Sequence, residues 1–152
     1  MLLRRAVKKT RKKQKTAQAE ADSDVQVVVK AAVEKLKAIH PDAEVVGISP
    51  NLGSFESVKE EFDKVEKQFG RIDILVNNAG VSESTPFTSY TEADFDRVID
   101  LNVKGVFNAT RAVVDGMIKN HSGVVLNTSS MVSISGQPSG FAYPASKFAV
   151  NG

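Results

Sequence analysis

Apolar residues at Val25, Val28, Val29, Ala32, Leu36 and Ile39 recur at the three- and four-residue spacing of one helix face. Ser23 and Gln26 stand where a capping box opens such a helix, and His40-Pro41 closes it. The alternation of Val25, Val27 and Val29 leaves a short strand open at its start. "AEVVGI" (43–48) is apolar and β-branched, and predicts a strand. Ser54 then caps a helix whose Val58, Phe62, Val65 and Phe69 form a stripe ended by Gly70. "RIDILVNNAG" (71–80) predicts a strand running into a small polar turn. Thr91 and Asp94 form a second capping box, opening a long helix with Phe95, Val98, Ile99, Val103, Val106, Phe107, Val113, Val114 and Met117 inward. "GVVLNTSS" (123–130) is a third strand, a Gly/Ser-rich loop comes after it, and a last helix begins near Tyr143. Short strands that are apolar throughout and alternate with helices predict an α/β fold, a doubly wound parallel sheet covered on both faces. Its ligands belong at the carboxyl ends of the strands.

Composition sharpens that picture at one end only. At 152 residues with 41% hydrophobic content, the chain is long enough for one domain with a core. Its net charge of +2 hides an asymmetry: residues 1–15 hold eight basic residues and no acid, leaving 12 basic and 18 acidic residues in 16–152, a net of −6. Like charges this dense repel, so 1–22 is expected to be a basic, disordered arm and 23–152 the folded domain. The arm reads as a solvated tail, as a contact for nucleic acid or another acidic surface, or as a targeting segment. With no cysteine there is no disulfide and no thiolate metal site. His40 suits a helix C-terminus and His121 a turn, so no metal cluster is visible. No apolar run approaches the roughly 18 residues that span a bilayer, so no membrane contact is expected and the cytoplasm is the expected address.

Chemistry concentrates in the last third. Tyr143 and Lys147 are four apart at the start of a helix and share a face. A phenol works as an acid or base at neutral pH when a nearby cation favours its phenolate, and a lysine is such a cation. The pair alone is a weak signal, because 20 basic residues among 152 make it common by chance. Asn102 interrupts the apolar stripe of the long helix; it reads either as a satisfied core amide or helix kink, or as a polar insertion holding water beside a reacting centre. Ser129 and Ser130 end the third strand, as turn residues or as catalytic hydroxyls. The "NNAG" turn (77–80) ends the middle strand at the same edge, where small residues let a ligand approach the backbone.

Taken in order and spacing, "NNAG", "LNVKGVF" around Asn102, Ser130 thirteen residues before Tyr143, and "YPASK" resemble the short-chain dehydrogenase/reductase family over about residues 30–152. The resemblance implies NAD or NADP as cofactor and a small-molecule secondary alcohol or ketone as substrate. It is nearest in feel to hydroxysteroid dehydrogenases and 3-oxoacyl carrier-protein reductases. It implies Tyr143 as the acid/base, with Lys147 tuning it and binding the nicotinamide ribose. Ser130 would orient the substrate oxygen, and Asn102 would hold a relay water. Asn78, Ala79 and Gly80 would line the cofactor, and Asn51 and Leu52 would stand beside the adenine where the family usually has Asp-Val. A homo-oligomer built on the Asn102 and Tyr143 helices is also implied.

The family opens with a strand and a TGxxxGxG turn that holds the pyrophosphate, whereas the first glycine here is Gly47. "SGQPSGFA" has Ala142 at the third position and lies in the active-site loop. By resemblance the sheet order is 3-2-1-4-5-6-7. This chain would supply a partial Rossmann-type sheet of strands 3, 4 and 5, lacking the first two and last two. It is therefore expected to be a fragment that binds cofactor poorly and turns over negligibly alone. Unpaired backbone groups cost about 1–3 kcal/mol each when buried. The non-enzymatic alternative is binding of nucleic acid or acidic surfaces through the arm.

Overall fold

The computed structural model describes residues 24–152, so the basic arm and the Ser23 cap lie outside the described residues. The described residues divide into two compact units, 24–49 and 50–152.

In the first unit, helix α1 runs over 24–39 and ends where His40 N–H donates to the Leu36 carbonyl at 2.9 Å. The short strand left open at its start does not form. Gly47 lies against this helix, where a Cβ would run into the Val29 side chain. Gln26 Nε2 donates to Ser49 Oγ at 2.6 Å. Residues 43–48, expected as a strand, carry none. Strand propensity describes a segment that fits a pleated ladder, and this segment has no ladder partner among the described residues.

In the second unit, local signals set the elements. Ser54 Oγ accepts from Ser57 N–H at 3.3 Å and opens α2, Phe55–Phe69. Gly70, at φ +87°, closes it with an N–H to the Glu66 carbonyl at 2.7 Å, a conformation glycine adopts without a Cβ penalty. Strand β1, Ile74–Asn77, pairs in parallel with β2, Val124–Asn127, in the register Ile74↔Val124 to Asn77↔Asn127. Both strands end at one edge, in the turns Asn78–Gly80 and Thr128–Ser130.

Between them, a 3-10 turn over Phe87–Ser89 precedes α3, Glu92–Ile99. The Thr91–Asp94 capping box is complete: Thr91 Oγ1 accepts from Asp94 N–H, and the Asp94 carboxylate accepts from Thr91 N–H, both at 3.1 Å. The helix continues through a π-helical turn, Asp100–Lys104, into α4, Gly105–Lys119. The extra residue in that turn rotates the downstream helix by about 100°. Gly105, Asn108, Ala109, Ala112, Val113 and Met117 therefore face inward, while Phe107, expected inside, is 62% exposed. Val58 of α2, Leu75 of β1 and the inward residues of α4 form the core, with Phe62 and Val125 packed against it. Two helices complete the unit, α5 (Val132–Ser135) and α6 (Ala142–Asn151).

The Thr91 hydroxyl and then its backbone N–H hold the Asp94 carboxyl below its ordinary value of 3.8. A carboxylate depressed by folding stabilises at pH above 3.8, and that stabilisation is lost as pH falls through the folded value. Acid titration followed by circular dichroism is therefore expected to show a shallower loss of helix for Asp94→Asn than for the unmodified chain.

Candidate active site

The two strand-end turns and the start of α6 line an open cavity of about 190 Å³. Asn78, Gly80, Val81 and Ser82 line one wall, Thr128 and Ser129 another, and Tyr143 and Lys147 the third. Lys147 is buried, at 6% exposure. A buried ammonium needs a partner, and its Nζ donates to the Thr128 carbonyl at 2.7 Å. The other two of its three donors have no partner among the described residues. Nζ also lies 5.9 Å from the centre of the Tyr143 ring. Tyr143 is half-buried, and its hydroxyl has no hydrogen-bond partner among the described residues. Lys147 is the only cation and Tyr143 the only phenol in the cavity wall.

Asn102 stands behind the wall, in the π turn, at 1% exposure. Its Nδ2 donates to the Val81 carbonyl and to Ser146 Oγ, and its Oδ1 accepts from Val81 N–H, all at 2.9 Å. Both amide donors are thus spent on clamping α6 and the 80–82 turn to the long helix. A water held at Asn102 would rest on an acceptor, the remaining Oδ1 lone pair or the main-chain carbonyl. A Cβ at Gly80 would come 3.1 Å from Asn102 Oδ1 and 3.8 Å from Lys147 Nζ, so glycine keeps this space open. Neither Asn102 nor Ser130 lines the cavity. Ser130 Oγ accepts from Val132 N–H at 3.4 Å and opens α5, while Ser129, its neighbour, faces the cavity and donates to the Lys147 carbonyl at 3.3 Å.

A second cavity of about 100 Å³ adjoins the same turn, with Asn78 common to both. Ala79, Leu52, Leu101 and Val106 line it. Leu52 is set by Asn108, whose buried Nδ2 donates to its carbonyl at 2.7 Å. Asn51 lines neither cavity; it forms a local turn, its Oδ1 accepting from Gly53 N–H at 3.0 Å. Asn77 ties the strand ends to α4, its Nδ2 donating to Asn127 Oδ1 at 2.8 Å and Thr110 Oγ1 at 3.1 Å.

A tyrosine and a buried lysine thus stand one turn apart at the carboxyl edge of a parallel sheet, and residues 6–152 match the sequence model of the short chain dehydrogenase family. The chain belongs to the short-chain dehydrogenase family. It is 51% identical over 127 residues to the 3alpha-hydroxysteroid dehydrogenase of Mediterraneibacter gnavus, covering 84% of this chain and 51% of that protein. It is 45% identical over 102 residues to the 3-oxoacyl-[acyl-carrier-protein] reductase of Thermotoga maritima, covering 67% of this chain and 42% of that one. Among solved structures, NAD+-bound xylitol dehydrogenase superposes with a TM-score of 0.77 at 33% identity, over 82% of this chain and 48% of its own. The chain spans about half the length of the curated relatives it matches.

Glu83 and Tyr90 line neither cavity but accept from the first N–H groups of α6, and the sequence pattern did not single them out. The available signal was an absence: Phe141 precedes α6 where a Ser, Thr, Asp or Asn cap would stand, so the helix that carries Tyr143 and Lys147 needs acceptors from elsewhere.

Proposed function

We propose that this short-chain dehydrogenase chain carries the proton-handling centre of an NAD(P)-dependent oxidoreductase acting on a secondary alcohol or ketone. The observation that carries the reading is the buried Lys147 ammonium sharing a cavity wall with the Tyr143 hydroxyl, two of its donors and that hydroxyl having no partner among the described residues. When bound, a nicotinamide dinucleotide supplies or takes up the hydride. Tyr143 exchanges a proton with the substrate oxygen through its hydroxyl. Lys147 keeps that hydroxyl competent through its charge and offers its remaining donors to the ribose. Ser130, whose hydroxyl accepts from Val132 N–H just outside the cavity wall, would turn towards the cavity to orient the substrate oxygen, and Asn102, behind that wall, would hold a relay water through an acceptor rather than an amide donor. The open space at Gly80 fits the nicotinamide end, with Asn78, Ala79 and Gly80 against the cofactor. The apolar cavity beside Leu52 and Ala79 fits the adenine end, with Asn51 at its approach.

The names of the two relatives favour a hydroxysteroid or 3-oxoacyl substrate, in which an apolar body flanks one reacting oxygen. Exposed Phe107, Ile118 and Phe148 on α4 and α6 support pairing with a second copy.

Titration of the isotope-labelled chain with NADH and NADPH tests the reading by nuclear magnetic resonance. Amides of Asn78–Ser82, Thr128–Ser130, Tyr143 and Ala145–Lys147 are expected to shift at millimolar dinucleotide, and Lys147→Met to weaken the effect. Shifts confined to other parts of the chain would reject it.

A further inference from the structure

We infer that Glu83 is a positioning residue: its carboxylate caps the helix α6 from a loop 60 residues away and so sets where Tyr143 enters the cavity. The inference rests on the proposed role of Tyr143, but the cap itself can be tested without it.

Helix first turns leave backbone donors without intrahelical partners. For α6 every one of them can be accounted for. Phe141 N–H donates to Glu83 Oε1 at 3.0 Å, and Tyr143 N–H to the same oxygen at 3.2 Å. Ala142 N–H, on a residue with no exposed surface, donates to the Tyr90 hydroxyl at 3.3 Å. Pro144 has no N–H to satisfy, which suits a first-turn position. Ala145 N–H begins the intrahelical series on the Phe141 carbonyl at 3.4 Å. The helix has no cap of its own, and two side chains from outside it accept every free donor of its first turn.

Glu83 is in turn held on every side. Its Oε2 accepts from Thr85 N–H at 3.2 Å, and its carbonyl accepts from Gln137 Nε2 at 3.1 Å. Gly140, at φ +81°, passes directly over it: a Cβ there would fall 2.5 Å from the Glu83 carbonyl oxygen, and Gly140 N–H donates to the Thr85 carbonyl at 3.1 Å. Phe141 packs against Phe87, Tyr90 and Phe95, with ring centres 5.4, 6.5 and 6.2 Å apart. A negative carboxylate at the positive end of a helix adds a favourable charge–dipole contact to these hydrogen bonds. Burial and then the Glu83 carboxylate hold the Tyr90 hydroxyl above its ordinary value, partly offset by the Ala142 N–H, so at neutral pH it is the neutral partner in this cap.

Glu83 stands three residues after Gly80, so one short segment both lines the cavity and caps the helix that brings Tyr143 to it. Moving Glu83 moves the two walls relative to each other.

The test uses the full 152-residue chain, isotope-labelled, with Glu83→Gln, Glu83→Ala and Tyr90→Phe. Glu83→Ala is expected to accelerate amide exchange at Phe141 and Tyr143 by roughly tenfold, in line with the loss of a helix cap, while Val113 in α4 is unchanged. Glu83→Gln keeps one acceptor oxygen and is expected to recover most of the protection at Phe141 and Tyr143. Tyr90→Phe is expected to expose Ala142 alone. In NADH titrations, Glu83→Ala should lose the shift at Tyr143 and keep the one at Gly80, with Glu83→Gln restoring it. Unchanged exchange at Phe141 and Tyr143 in both Glu83 variants overturns the cap. Faster exchange with the NADH shift at Tyr143 intact overturns the positioning role and leaves a structural cap. Absence of NADH shifts in the unmodified chain removes the proposed function and the positioning role with it, while the exchange data still decide the cap.

Discussion

Asn102→Leu is expected to destabilise the 50–152 unit by about 3 kcal/mol or more, the largest loss of stability from any single polar side chain in it. The side chain is 1% exposed and makes three hydrogen bonds, two of them to the backbone of Val81. Leucine has similar bulk but leaves the Val81 N–H and carbonyl without partners, at about 1–3 kcal/mol each where water cannot reach them. Ser146 Oγ suffers less, because it keeps its own donation to the Tyr143 carbonyl at 2.7 Å. Asn102→Asp should cost at least as much, because its carboxylate is buried and one oxygen replaces the amide donor facing the Val81 carbonyl. Urea unfolding followed by circular dichroism measures the effect. A loss below about 1 kcal/mol for leucine would mean that the clamp contributes little to holding the unit together. Because Val81 comes directly after Gly80, the same substitution should also scatter the amide resonances of the 78–82 turn.

Tyr143→Phe is expected to have the largest effect on chemistry. The substitution removes one oxygen atom and leaves the ring, its half-buried setting and the Lys147 hydrogen bond to Thr128 in place. Stability should change little, while removal of a positioned acid/base typically costs about 10²–10⁴-fold in rate. Lys147→Met also removes the cavity's only cation, so it is expected to impair both proton transfer and ribose binding, and to cost stability through the Thr128 carbonyl left behind.

Local rules were legible in the sequence because they join residues three or four apart. Ser54, Gly70 and the Thr91–Asp94 box stand where the pattern put them, and the strands at Ile74–Asn77 and Val124–Asn127 lie inside the apolar runs that predicted them. Asn102 announced itself as an amide on an apolar stripe, and its reading as a satisfied core amide or helix kink matches the buried, hydrogen-bonded amide found in a π turn. Long-range features were not legible. An unbroken helical period carried Phe107 inward, because a one-residue insertion in the hydrogen-bond ladder leaves no mark on composition. Residues 43–48 have the side chains of a strand, but pairing is a property of two segments. Glu83 was silent because its partners lie 58 and 60 residues on. The cavity-forming residues were found through family resemblance more than through pattern, since a Tyr-Lys spacing is common and only the fold brings it beside the "NNAG" turn.

The proposal that Tyr143, held beside Lys147 at the strand ends, moves the proton can be decided in a graft, with the 127 matching residues of this chain replacing their counterpart in the 3alpha-hydroxysteroid dehydrogenase of Mediterraneibacter gnavus. That relative supplies the remaining half of its own length and leaves the centre to this sequence. The graft should reduce a 3-ketosteroid with a nicotinamide cofactor, and Tyr143→Phe should lower kcat/KM by about 10²–10⁴-fold without loss of fold. A Phe variant that retains the rate of the unmodified graft would contradict the claim.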